Sequence, residues 1–295
     1  MLLKAFRTKE RKVTAFLLGL ILIVIGVFLF TNYSGNRKFT EQAVMAENYL
    51  EAGNYREAVD AYQKAMSMKK ATQQNLAIGL ADAYVGLNEY DMALEALRSC
   101  YQKASGVKVK EKIEEVTSKK TEYEYLQAAT RAEVYFSNKE YDKAITEYEK
   151  AKLIKSKKAT SYQRIAEAYM EIDEYEKARE EILEGQELTQ DESLDKILVI
   201  INTHLIKEKY DKLISQAEEY INQENYKDGI TQYEAAIALL PEEDLAYIGL
   251  ANVYLARKEF NRAVLLLQSV IEQVDSDELS DLLKKATKLK TGTAR

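Results

Sequence analysis

From residue 39 to about residue 277, apolar positions recur three and four apart in short runs. A polar dipeptide interrupts the pattern six times: Gly53-Asn54, Asn88-Glu89, Lys139-Glu140, Asp173-Glu174, Glu224-Asn225 and Lys258-Glu259. Spacings of three and four place side chains on one helix face, and the dipeptides carry turn chemistry, so the pattern predicts pairs of helices of about 13 residues each. One proline and 11 glycines in 295 residues suit long helices broken by short turns.

Large and small residues keep fixed distances around each turn. Alanine stands at Ala46, Ala81, Ala132, Ala166, Ala217 and Ala251, and three residues later comes Tyr49, Tyr84, Tyr135, Tyr169, Tyr220 or Tyr254. After the turn follow Tyr55, Tyr90, Tyr141, Tyr175, Tyr226 and Phe260, then Ala58, Ala93, Ala144, Ala178, Gly229 and Ala263. Each unit closes on a bulky residue (Tyr62, Leu97, Tyr148, Ile182, Tyr233, Leu267) and a mostly small one (Ala65, Cys100, Ala151, Gly185, Ala236, Val270). Small residues let paired helices approach closely, and the aromatics fill the space beside them. A lone helix pair cannot bury such a face, so neighbouring pairs must stack on it.

Small residues at the eighth, twentieth and twenty-seventh positions of a unit of about 34 residues, with large ones at the eleventh, seventeenth and twenty-fourth, resemble the tetratricopeptide repeat family. All six units fit, although the family's frequent tryptophan is absent and its closing proline survives only as Pro241. The resemblance implies an all-α fold, an α-solenoid of six helix hairpins, and a role in binding protein.

A second period runs through the markers. Tyr49 to Tyr84 is 35 residues, and Tyr135 to Tyr169 and Tyr220 to Tyr254 are 34, whereas Tyr84 to Tyr135 and Tyr169 to Tyr220 are both 51. The excess is one helix, supplied by residues 108–124 and 193–209, which contain Lys112-Ile113 and Lys196-Ile197; residues 275–290 offer a comparable helix with Leu282 and Leu283 in the matching place. The array is thus expected as three modules, 39–124, 125–209 and 210–290, each two repeats plus a single helix, followed by a tail at 291–295. The extra helix either caps its module, giving three hinged bodies, or runs on into the next repeat as one helix of about 30 residues. The C-terminal copy, which no repeat follows, favours capping.

Val13 to Phe30 is uncharged throughout, and Thr31 can extend it. Residues 13–31 match the thickness of a bilayer core, and the stretch is longer than the apolar part of a cleaved signal, with no small-x-small site after it. It is expected to be an uncleaved transmembrane helix joined to the repeats by a linker at 32–38. Lys4, Arg7, Lys9, Arg11 and Lys12 lie in the short tail 1–12, which the positive-inside rule keeps cytoplasmic, placing residues 32–295 on the outer side of a plasma membrane. Gly19 and Gly26 fall on one helix face and read as ordinary glycines of a membrane helix.

Net charge is −6, and the basic tail makes the remainder more acidic still. An acidic body without a basic stripe excludes nucleic acid as the main partner. A single Cys100 and a single His204 exclude most metal sites and Cys/His dyads, and no phosphate loop, HExxH or GxSxG occurs. Cys100 sits at a small-residue packing position and reads as a buried, inert thiol. His204 reads as a partly buried structural residue. The 48 acidic residues are expected on solvated helix faces, so no catalytic group, cofactor or metal is expected and the chain reads as a non-enzyme.

The resemblance also implies that the first helix of each pair lines a groove. The position after each marker alanine holds Glu47, Asp82, Glu133, Glu167, Glu218 and Asn252, and three residues on stand Leu50, Val85, Phe136, Met170, Ile221 and Leu255. Relatives that clamp acidic peptide C-termini line this groove with basic residues and asparagine; an acidic row points instead to extended segments that are basic and apolar. The competing reading is that these acids only keep an exposed face soluble. The leading expectation is a membrane-anchored adaptor for envelope or exported proteins, with a chaperone-like role sharing its features. A sensory ectodomain of a membrane complex is the alternative, and a membrane-bound enzyme a weaker one. A homo-oligomer is compatible with the sequence, and nothing in it requires one.

Overall fold

The structure, a computed structural model, describes residues 2–68 and 74–292, with side chains from Leu20 onward. The basic side chains of the tail, those of residues 13–19 including Gly19, and residues 293–295 of the expected C-terminal tail lie outside the described residues. Among the described residues there are 13 helices and no strand. They are α1 (Leu2–Glu51), α2 (Tyr55–Met68), α3 (Gln74–Gly86), α4 (Tyr90–Lys103), α5 (Val107–Ser137), α6 (Tyr141–Ile154), α7 (Ala159–Met170), α8 (Tyr175–Thr189), α9 (Ser193–Asn222), α10 (Tyr226–Leu239), α11 (Asp244–Ala256), α12 (Phe260–Val270) and α13 (Asp277–Gly292). The chain divides into two compact units, 1–126 and 127–295, and α5 spans the division. Within each unit, helices pack mainly on their neighbours in sequence, as stacked hairpins must.

All six marker alanines are fully buried, as are Ala58, Ala93, Ala144, Ala178 and Ala263 of the second helices. The turns between the paired helices share one geometry. The first residue of each dipeptide is left-handed, with φ between 58° and 77° at Gly53, Asn88, Lys139, Asp173, Glu224 and Lys258. The N–H of the second residue donates to the carbonyl of the marker tyrosine five residues back, at 2.8–2.9 Å, as Asn54 does to Tyr49 and Glu259 to Tyr254. This double reversal satisfies the last carbonyls of the first helix and starts the second immediately. Only one turn uses glycine.

The extra helices do not stand alone. Residues 108–124 continue into the first helix of the third repeat as α5, and 193–209 into that of the fifth as α9; neither helix contains Pro or Gly to break it. Capping is met as well, because fully buried Val109 and Val116 complete the core of the first two repeats, and Leu194 and Ile201 that of the fourth. Capping as a separate hinged helix is therefore corrected: one helix closes one module and opens the next. The buried positions also reset the register. Val109, Leu194 and Leu279 lie 85 apart, as do Val116, Ile201 and Ala286, so Lys112 matches Ile197 and Leu282 rather than Lys196.

At the other end, α1 runs unbroken through 13–31, through 32–38 (expected as a linker) and into the first repeat. The described residues hold one helix long and apolar enough to cross a membrane, and Leu20 to Phe30 keep their large apolar side chains 44–71% exposed. Gly26 meets open space on all sides.

A buried ion pair ties α6 to α8. Lys152 Nζ lies 2.8 Å from Glu181, 3.0 Å from Glu149 and 3.5 Å from Glu184. Burial pushes the Glu181 carboxyl up to about 7 against the pull of Lys152. Burial also works against the Lys152 ammonium, but hydrogen bonds to Glu181 and Glu149 outweigh it and hold its pKa above the ordinary value.

Two stability predictions follow from the turns and the pair. Gly53→Ala, at a left-handed position with nothing within 4 Å of the added Cβ, should lose about 1 kcal/mol from backbone strain alone, whereas Lys258→Gly should gain a fraction of that; urea unfolding reads both. Lys152→Met, which strands Glu181 in the interior, should cost about 3 kcal/mol in the same measurement. Folded Glu181 holds its proton to higher pH than an unfolded glutamate, so its contribution is complete below the ordinary glutamate pKa, about 4.3, and is lost as pH rises through about 7. Glu181→Gln should flatten the stability profile from about pH 5 to pH 8.

Candidate protein-binding groove

On the first helix of each repeat, the residue after the buried marker alanine turns away from the packed seam and toward solvent. Glu47, Glu218 and Asn252 are exposed there, and Asp82, Glu133 and Glu167 are half-buried. These acids are not equivalent. Asp82 is held 2.7 Å from Lys112 of the extra helix, whose ammonium is disfavoured by burial yet kept above its ordinary pKa by Asp82 and Glu115. Arg164 bridges the next two, at 2.9 Å from Glu133 and 2.8 Å from Glu167, with its guanidinium carbon 5.8 Å from the centre of the Phe136 ring. The hydrogen bond to Glu167 leads the causes that raise the Arg164 pKa. Among the described residues, Glu47 and Glu218 form no ion pair.

Beneath each acidic pair lies the closing tyrosine of the odd-numbered repeat: Tyr62, Tyr148 or Tyr233, each almost fully buried. Burial, aided by nearby carboxylates, pushes all three phenols above their ordinary pKa: Glu47 and Asp82 near Tyr62, Glu133 near Tyr148, and Glu218 near Tyr233. Opposite the tyrosine, two residues before the marker alanine, stand Gly79, Arg164 and Gly249. A Cβ on Gly79 would overlap the Tyr62 ring, and one on Gly249 the Tyr233 ring, so the glycines allow the aromatic rings to lie against backbone. In the fifth and sixth repeats this leaves an open cavity of about 400 Å³, lined by Ile214, Glu218, Tyr233, Leu245, Ile248 and Asn252, among others.

The structure brings Glu133, Phe136 and Glu167 together around Arg164, and Glu218, Ile221 and Asn252 around the cavity. Leu50 and Val85 pack against the core of the first unit, Met170 against that of the fourth repeat, and Leu255 against that of the last two. Ile221 does both jobs, since its side chain occupies the space above Gly229 where the other units have alanine. Sequence reasoning missed the position three residues before the marker alanine, where Ile214 and Ile248 line the cavity. A helix face repeats at three and four, so that position shares a face with the acidic row and the spacing could have found it.

Two other expectations resolve outside the groove. Cys100 is buried, and burial raises its thiol pKa. His204 is corrected: it is exposed on α9 and stacks flat on Tyr175, ring centres 3.5 Å apart at 8°.

A tetratricopeptide repeat family model matches residues 43–72, 129–158 and 159–192, and a second matches residues 220–286, together more than half of the chain. In sequence the chain is similar to the DnaJ homolog subfamily C member 3 of Gallus gallus, 28% identical over 112 residues. That match covers 38% of this chain and 21% of the relative, so the chain spans about a fifth of the relative's length. Among solved structures it is similar to the P58(IPK) TPR domain, at 14% identity and a TM-score of 0.28, covering 87% of this chain and 99% of that one. It is also similar to a thermophilic TPR protein of Thermus thermophilus, at 15% identity and a TM-score of 0.26, covering 74% and 99%. With its fully buried small residues, its repeated left-handed turns and family-model matches over more than half of its length, the chain belongs to the tetratricopeptide repeat family.

Proposed function

We propose that the protein is a non-catalytic, membrane-tethered scaffold that gathers envelope or exported proteins by holding extended segments of them, basic and apolar in character, against the first helices of its repeats. Tetratricopeptide repeats are protein-interaction scaffolds, and the cavity between α9, α10 and α11 carries the reading to this chain. Its wall is apolar, its free charge is the Glu218 carboxylate, and it is open enough to admit a side chain from a passing strand. Tethering is supported by Leu20 to Phe30, whose apolar side chains cover α1 on all sides and need a lipid or protein surround to leave water. The basic tail before that segment supports an inward N-terminus and outward repeats.

Crosslinking in intact native cells tests the scaffold reading. The wild-type chain should capture a defined set of proteins, and a chain with Glu218→Lys and Leu245→Arg, both at exposed groove positions, should capture them several-fold less. An unchanged set would overturn it. Protease added to the same cells should digest the repeats, and full protection would contradict the outward orientation.

A further inference from the structure

The acidic row is neutralised differently in each pair of repeats, and the differences fall at equivalent positions. In the first pair, Asp82 takes Lys112 from the extra helix. In the second, the place of Lys112 is held by apolar Ile197, and Arg164, opposite Tyr148, supplies the cation for Glu133 and Glu167. In the third, both places are non-basic: Leu282 matches Lys112 and Gly249 matches Arg164. Glu218 has no cation among the described residues, and the space beside Gly249 is the cavity of about 400 Å³. The first two pairs thus each hold a cation of the chain's own in the acidic row, although Glu47 of the first is left without one; the third has none among the described residues, and there the unpaired carboxylate lines the cavity over its tyrosine floor.

We propose that the groove of the fifth and sixth repeats takes a lysine or arginine side chain from a partner polypeptide, in the place that Arg164 fills in the second pair. Glu218 accepts the cation, and apolar residues flanking it on the partner lie on Ile214, Ile248 and Leu245. The second pair shows the chemistry at work, since a guanidinium there lies between carboxylates of successive first helices and over an aromatic ring. The apolar wall lowers the local dielectric, which strengthens the pairing and penalises an anionic or neutral polar occupant. Glu218 is therefore a specificity-determining residue, while Glu133 and Glu167 are already satisfied and contribute little to choosing a partner. The inference rests on the scaffold reading above and fixes the chemistry of one site within it.

The test uses the full chain in detergent and two fluorescein-labelled octapeptides, Ser-Leu-Thr-Arg-Leu-Thr-Ser-Gly and the same peptide with citrulline for arginine, which is isosteric and uncharged. Fluorescence anisotropy should give about fivefold tighter binding of the arginine peptide at low salt, a preference that shrinks as salt rises. Glu218→Gln should abolish the preference with an unchanged thermal melt, and Glu133→Gln should leave it in place. Equal binding of the two peptides, or a preference that survives Glu218→Gln, would overturn the proposal. Absence of binding by either peptide would overturn it too. The scaffold reading stands or falls separately, on whether Leu245→Arg alone removes the crosslinked partners of the native chain.

Discussion

The close approach of paired helices at fully buried alanines governs everything else in this chain. With Ala46 against Ala58, and the same pairing repeated down the array, there is no room for a larger side chain at the seam, and the space beside it must be filled by bulky residues reaching across from neighbouring helices. The tyrosines provide that bulk and bring a hydroxyl, which several of them carry to a polar partner. Tyr210, fully buried on α9, uses its hydroxyl to accept the Ala246 N–H at 3.1 Å, one of the donors that the start of α11 cannot satisfy internally. Tyr162 and Tyr247, equivalent residues of the fourth and sixth repeats, reach back to the carbonyls of Ser156 and Pro241. The packing grammar and the polar accounting at helix ends are met by the same residues.

That constraint leaves few positions at liberty, and the three pairs of repeats use them differently. The residue facing the closing tyrosine is glycine in the first and third pairs, where the ring lies against backbone, and arginine in the second. Gly79 and Gly249 sit under their tyrosines, whereas Arg164 projects over Phe136 and ties two first helices together through Glu133 and Glu167. The second pair of repeats is further cross-tied by the buried Lys152 and Glu181. The Lys152–Glu181 bridge is buried and costly to desolvate, whereas the Arg164 bridge is partly exposed; both link helices that the apolar seam already holds, so their effect is to fix geometry more than to add stability. The third pair has neither device, and its exposed surface retains a cavity and an unpaired carboxylate. Rigidity and openness are thus distributed along an array built on one repeated pattern.

The fold was legible in the sequence because its determinants are local. Small residues, aromatics and turn dipeptides all lie within one unit, and the same distances recur six times, so each unit corroborates the others. The left-handed residue was hidden at three of the six turns, since Gly53, Asn88 and Asp173 are types that favour it; Lys139, Glu224 and Lys258 adopt the conformation because the helix pair on either side dictates it. The site was legible in part. Spacing placed Glu133, Phe136, Glu167 and Glu218 on one row, but the pairing of Arg164 with Glu133 joins residues 31 apart, and that of Lys112 with Asp82 residues 30 apart, through helix packing that no local pattern encodes. The extra helices were misread by one residue because the repeated Lys-Ile pair is out of step with the packing, while the true marker is the buried seven-residue step from Val109 to Val116 and from Leu194 to Ile201.

The continuity of α1 has a consequence for the proposed anchoring. A flexible linker at 32–38 would let the repeats move freely at a distance from the bilayer, whereas a helix from the apolar segment into the first repeat allows no swivel between them. At about 1.5 Å per residue, the helix advances about 12 Å from Thr31 to Phe39, little more than the headgroup layer. Under that anchoring the first repeat stands at the membrane surface, its approach fixed by the helix, with Glu47 unpaired in it and Asp82 of the second repeat neutralised by Lys112. The open cavity lies between the fifth and sixth repeats, in the second compact unit. Of the two acids in the row that form no ion pair among the described residues, Glu47 belongs to the first repeat and Glu218 lines the cavity, so what sets Glu218 apart is the apolar space beside it that a partner's side chain can enter.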